Sequence, residues 1–272
     1  MNEKQRFIFI ISTISVLFFG CAKGKEAAKE EAFEEIRDFN MIYVEGGEFT
    51  MGDKSIHDNQ PRNVTVRDFY ISDIEVTQVL YESVVGHNPV YSYEEGINKP
   101  VNKISWYDAI NFCNELSERR GLKPCYEING RDVACDFGAN GYRLPTEEEW
   151  EYAAAGGKFT HHYEYSGSDD IEEVGFHCGN AEYLSIQNVA LKKPNELGIY
   201  DMTGNVKEWC WNEYETEFGA SFSEQPQRAL RGGCVHNFID DCMVRKRACN
   251  EPDSISQNFG IRICQSAVEK TN

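Results

Sequence analysis

At 272 residues the chain has material for one large domain or two small ones, and 41% hydrophobic residues with 12% aromatic suffice to close a globular core. Twenty-seven Lys and Arg against 45 Asp and Glu leave a net charge of -18, which repels phosphate and argues against general binding to nucleic acid or anionic lipid. Ten Cys without a Cys-x-x-Cys pair argue against both a disulfide-dense mini-scaffold and a structural zinc site.

Lys4 and Arg6 precede an uncharged apolar run from Phe7 to Gly20, the pattern of a secretory signal over residues 1–20 and too short for a membrane span. Leu17-Phe18-Phe19-Gly20-Cys21 resembles a bacterial lipobox of the looser spirochaete kind, which makes Cys21 the expected lipidation site and first mature residue. Export with a lipid anchor to the outer membrane or cell surface follows from this reading. Residues 21–40, largely Lys, Glu and Ala, read as a charged tether. A single domain is expected over 41–272.

Within it, Thr77 caps a predicted helix carrying Leu80, Tyr81, Val84 and Val85 and closed by Gly86. Ser105 caps another, whose Trp106, Ala109, Ile110, Cys113 and Leu116 share one face, so Cys113 is expected in the core. Thr146-Glu147-Glu148-Glu149 is a capping box after Pro145, with Trp150, Ala153 and Ala154 as the packing stripe. Short β-like runs alternate with these helices without a βαβ rhythm, so the fold class is α+β. Beyond Gly157 periodicity fades into long glycine-rich, aromatic loops. No dinucleotide, Walker, zinc-protease or nucleophile-elbow motif occurs, and the adjacent His161 and His162 point apart on an extended chain.

Several stretches together resemble the formylglycine-generating enzyme, or sulfatase-modifying-factor, family. They are Gly46-Gly47-Glu48-Phe49-Thr50-Met51-Gly52, Glu75-Val76-Thr77, Tyr142 to Ala154, Gly198 to Trp209, Arg231-Gly232-Gly233 and Asn258-Phe259-Gly260-Ile261-Arg262. The resemblance implies a C-type-lectin-like α+β fold. Oxidase members hold copper on two Cys five residues apart after the Gly-Gly pair; here the second position is Cys242 and the first is Asn237. One thiolate beside an amide does not make a two-sulfur Cu(I) site. Cys234 and Cys249 stand eight and seven residues from Cys242, so either would need a rebuilt loop to replace the missing ligand. The resemblance also implies a calcium cage at Asp201, Gly204, Val206 and Glu208, although no cofactor is required for the function expected here.

The tail, about residues 231–262, further resembles the variable region of retroelement-diversified lipoproteins of treponemes. Their templates are rich in Asn codons substituted at adenines; His236 to Asp241 and Ala248 to Asn250 are reachable that way, while Lys246 and Glu251 are not. Gly232, Gly233, Cys242, Val244, Arg247, Pro252, Gly260 and Arg262 occupy the fixed frame. The expected ligand-binding residues are His236, Asn237, Phe238, Asp240, Asp241, Arg245, Lys246, Ala248, Cys249, Asn250 and Glu251, with Arg245 and Lys246 opposite Asp240 and Asp241. The partner implied is a protein or glycan, such as one on another cell, with no nucleic acid. The alternatives are a copper-dependent formylglycine-generating oxidase and a degenerate structural lipoprotein.

Overall fold

In chain order the strands and helices are β1 (Met41–Val44), β2 (Gly47–Met51), β3 (Arg62–Val66), β4 (Phe69–Ser72), α1 (Gln78–Val85), α2 (Trp106–Arg119), β5 (Tyr126–Asn129), β6 (Asp132–Cys135), α3 (Glu147–Ala154), α4 (Ile171–Val174), β7 (Lys207–Glu213), β8 (Arg228–Arg231), β9 (Ala248–Asn250), β10 (Phe259–Gly260) and β11 (Cys264–Ser266). They come from a computed structural model that describes residues 37–56, 59–214 and 226–267. The signal segment, Cys21 and the spacer up to residue 36 lie outside the described residues.

β4 pairs antiparallel with β1 on one side and β11 on the other, Met41 opposite Ser72 and Cys264 opposite Ile71, so both ends of the described domain meet on one strand. The second sheet runs β10-β7-β8-β9, with only the β10 to β7 pair parallel. Two hairpins, β2-β3 and β5-β6, complete the α+β arrangement. Among the described residues no helix is long and apolar enough to cross a membrane.

The helices form where local chemistry dictates. Thr77 Oγ1 accepts Leu80 N–H, and Gly86 closes α1 in the left-handed conformation at φ 88. Ser105 with Asp108 and Thr146 with Glu149 close reciprocal capping boxes on α2 and α3. Trp106, Ala109, Ile110, Cys113 and Leu116 enter one core cluster and Trp150, Ala153 and Ala154 a second, the packing expected from their spacing. Burial pushes the Cys113 thiol well above its ordinary range, and nine cysteines of the described residues are free thiols.

One boundary differs from the sequence reading. Arg37 to Asn40, assigned to the tether, are tied to the domain: Asn40 N–H and Nδ2 donate to the Asp73 carboxylate at 2.7 and 2.9 Å, and Phe39 meets Tyr142 edge-on at 6.1 Å. A charged spacer composition says nothing of an Asp waiting on the neighbouring strand end.

The interior also seals three arginines, Arg143, Arg231 and Arg262, each against carboxylates. Arg143 grips Glu149 with both terminal nitrogens at 2.6 and 2.7 Å. Arg262 holds Glu208 through Nε at 2.7 Å and Nη2 at 2.8 Å. Arg231 bonds Glu147 at 3.0 Å and also Glu151, while Arg247 reaches Glu147 twice at 2.6 Å. Buried charges persist only when paired this closely. These bonds fasten α3, β7, β8 and the carboxyl end into the frame that carries the C-terminal loops.

Candidate functional site

Immediately after β8, Gly232 and Gly233 take left-handed φ values of 93 and 74. A Cβ on Gly233 would stand 2.6 Å from Cys242 Sγ and 2.8 Å from Asp241 O, so only glycine lets the returning chain lie this close. Cys234 and Val235 are buried; His236 to Asp240 then swing outward through a short 3-10 turn at Ile239–Asp241, and Cys242 and Val244 dive back in. Beyond β9, Pro252 is covered and its carbonyl accepts Trp106 N–H at 3.0 Å.

The segment thus sorts into two sets. Gly232, Gly233, Cys242, Val244, Pro252, Gly260 and Arg262 are buried, and the Arg247 side chain is only 7% exposed. All eleven residues expected to bind ligand are exposed or half-exposed. Phe238 is 75% exposed and Ile239, which the sequence reading left out of the site, 44%, an apolar tip on a polar loop.

Within the face, Lys246 Nζ stands 3.7 Å from Asp241 and Asn237 Nδ2 donates to Asp241 at 3.4 Å. Around them a cavity of about 100 Å³ is lined by Lys207, Gly232, Gly233, Asn237, Asp241 and Lys246 among others. Gln257 Nε2 lies 3.4 Å from His236 Nε2. Asn250 serves its own loop, its Oδ1 accepting Glu251 N–H and the Ser254 hydroxyl at 2.9 and 2.6 Å. Ala248 and Cys249 lie in β9 against β8, with Cys249 Sγ donating to Gln227 at 3.2 Å.

Arg245 departs from expectation: it does not face Asp240 and Asp241. The Val244 carbonyl is held by Arg231 at 2.9 Å and its N–H by the Glu164 carbonyl at 3.0 Å, and the chain turns there, with Lys246 N–H on Met243 O. Arg245 is sent the other way, to the Tyr163 carbonyl at 3.4 Å, in a separate hollow beside Asp53, His162 and Glu164. Lys207, which is not among the residues expected from the sequence, lines the cavity beside Asn237 and Asp241. Its neighbour Glu208 points inward to Arg262.

Asn237, at the position of the first copper ligand, does not fit that role, since an amide supplies no thiolate. Asn237 Oδ1 accepts the Cys234 thiol at 3.0 Å. The sequence reading put Cys234 out of reach of Cys242 without a rebuilt loop; the Gly-Gly turn instead brings them together, and Cys234 N–H donates to Cys242 Sγ. Burial pushes the Cys234 thiol up and that of Cys242 to about 12. Cys249 lies apart on β9.

At the residues assigned to calcium, Glu208 spends both oxygens on Arg262, and one also accepts Trp150 Nε1–H at 2.6 Å. Asp201 Oδ2 accepts Ala190 N–H at 2.6 Å, while Val206 N–H and Asn205 Nδ2 go to Glu75 at 3.3 and 2.7 Å. Glu75, Asp201, Glu208 and Arg262 therefore form one buried charge cluster. Burial raises Asp201 to about 6; burial, then Asp201 and Glu208, raise Glu75 well above its ordinary range. Among the described residues no group of three or more His, Cys, Asp and Glu is placed to hold a metal.

Residues 26–267 match the sulfatase-modifying factor enzyme 1-like domain, and the chain belongs to that family. The chaperone protein LppX of Paenibacillus barcinonensis is 35% identical, over 92% of this chain and 97% of that protein. The structure of Treponema denticola variable protein 1 superposes with a TM-score of 0.74 at 30% identity, covering 84% of this chain and 95% of the other. The Mus musculus protein named inactive C-alpha-formylglycine-generating enzyme 2 is 28% identical over 85% of this chain and 87% of its own. The family therefore includes a protein named inactive and one named variable, and the fold is the C-type-lectin-like α+β domain of these relatives.

Proposed function

We propose that residues 231–262 form a ligand-binding face, diversified by a retroelement, on an exported and lipid-anchored domain without formylglycine-generating activity. The observation that carries this reading is the burial of the segment: the frame residues other than Arg247 are buried, and the candidate binding residues are exposed or half-exposed. A packed enzyme loop has no use for a phenylalanine 75% exposed at its tip; a binding face uses such a side chain as an anchor within a polar rim. Asn237, an amide where the first copper thiolate would stand, supports the absence of oxidase chemistry. Similarity to a protein called variable supports diversification, and similarity to one called a chaperone brings a second reading, in which the same face holds a client polypeptide.

Alleles and neighbouring template copies test the proposal. Differences confined to the surface positions, with Gly232, Gly233, Cys242, Pro252 and Arg262 constant, are the expected result; differences spread evenly along the chain refute diversification. Incubation with a sulfatase-type Cys peptide, with and without Cu(I), is expected to leave the peptide mass unchanged, and robust conversion overturns the non-enzymatic reading.

A further inference from the structure

The cavity in the binding face is lined by a cation that no carboxylate pairs. Arg231 is matched by Glu147 and Glu151, Arg247 by Glu147, and Lys246 by Asp241 at 3.7 Å. Lys207, at the start of β7 and lining the same cavity, makes no side-chain hydrogen bond or ion pair with a described residue. On a chain of net charge -18 this is a local reversal of sign, set in a partly enclosed space where charge is screened less than on open surface.

We infer that Lys207 is a constant anchor for a carboxylate on the bound partner, seated in the cavity between Gly232-Gly233 and Lys246. The inference rests on the binding reading of the face. A single unmatched cation beside the Asp241 carboxylate favours a monoanion, since a dianion would add repulsion from Asp241 without gaining a second free cation. Asn237 Nδ2, held by Asp241 only at 3.4 Å, is the neutral donor at hand, and Lys246 is loosely paired and can turn toward an incoming anion. Gly232 and Gly233 line the cavity beside Lys207. Lys207 lies outside the diversified segment, so every variant of the face keeps the same anchor while Phe238, Ile239 and their neighbours set which partner fits around it. The carboxylate has two natural sources, an acidic residue or chain end of a protein and a uronic or sialic acid of a glycan.

The test titrates the full-length chain with acetate, methyl phosphate, N-acetyl-aspartate amide and glucuronate at constant ionic strength, following the Gly232 and Gly233 amides by NMR. Saturable shifts with acetate are expected, weakened about tenfold or more in Lys207→Met, as for loss of a charge-assisted hydrogen bond, and restored in Lys207→Arg. Equal thermal stability of the three proteins separates lost binding from lost fold. The tighter of the aspartate and glucuronate probes names the source. No saturable shift, equal shifts in Lys207→Met, or tighter binding of methyl phosphate overturns the inference. Peptides selected from a random display library distinguish this failure from failure of the binding face. A pool with an acidic residue at one position, lost on Lys207→Met, supports the anchor. A pool without one overturns the anchor alone, and no enriched pool on this chain or its alleles overturns both.

Discussion

Replacing Phe238 and Asp240 together by Ala is expected to leave the fold almost untouched, whereas Val244→Ala, six residues further on, is expected to damage it. Phe238 is 75% exposed, so its loss removes about a quarter of the roughly 1.5–3 kcal/mol that full burial of such a side chain contributes, or about 0.4–0.7 kcal/mol. Asp240 is an exposed loop carboxylate, and substitutions there stay within about 0.5 kcal/mol. The double variant therefore loses about 1 kcal/mol and about 2–4 °C in Tm. Val244 is wholly buried, and truncation removes two carbons worth about 0.8 kcal/mol each and leaves a cavity, in all about 2–3 kcal/mol and about 5–10 °C. Thermal denaturation followed by circular dichroism, with urea unfolding to confirm an unchanged m-value, measures both. A double variant as damaged as Val244→Ala would mean that Phe238 and Asp240 are packing groups, and the division between frame and face would fail.

Arg231→Met should cost about 3–5 kcal/mol, because it leaves Glu151 buried without its cation and Glu147 dependent on Arg247 alone; a loss below about 1 kcal/mol in urea unfolding contradicts the ion-pair frame. Asp201, raised by burial to about 6 from 3.8, keeps its proton in the fold over a range where the unfolded chain has lost it, so its contribution declines as pH rises from about 4 to 6. Asp201→Asn, which can still accept the Ala190 N–H, should then be about 1–3 kcal/mol more favourable at pH 7.5 than at pH 4 relative to the parent; an equal effect at both pH values refutes the buried-carboxylate reading. Added Ca²⁺ should leave the Tm of the parent unchanged, since Glu208 is committed to Arg262; a rise of several degrees would show that the carboxylate can leave it. Cys21→Ser should move the protein from the membrane fraction to the soluble fraction, and unchanged partitioning refutes lipidation.

Much of this molecule was legible in one dimension because the signals are local. Thr77, Ser105 and Thr146 cap helices through bonds to residues three positions on, and the stripes of α2 and α3 follow from the helical repeat. The division of the tail into frame and face followed from its resemblance to a diversified variable region. Arg143, Glu147, Glu151, Arg231 and Arg262 were visible as parts of motifs, but their roles were not. Arg262 meets Glu208 across 54 residues and Arg231 meets Glu151 across 80, and only the packing of β7, β8, α3 and the carboxyl end decides which charge is buried against which. The same holds for the site. Whether Cys234 reaches Cys242 depends on two left-handed glycines, where Arg245 points depends on the anchoring of Val244, and the unmatched charge of Lys207 emerges only once every neighbouring cation has found its carboxylate. A residue type limits what a side chain can do; which long-range partner satisfies it is set by strand register and loop return, which a local pattern does not encode.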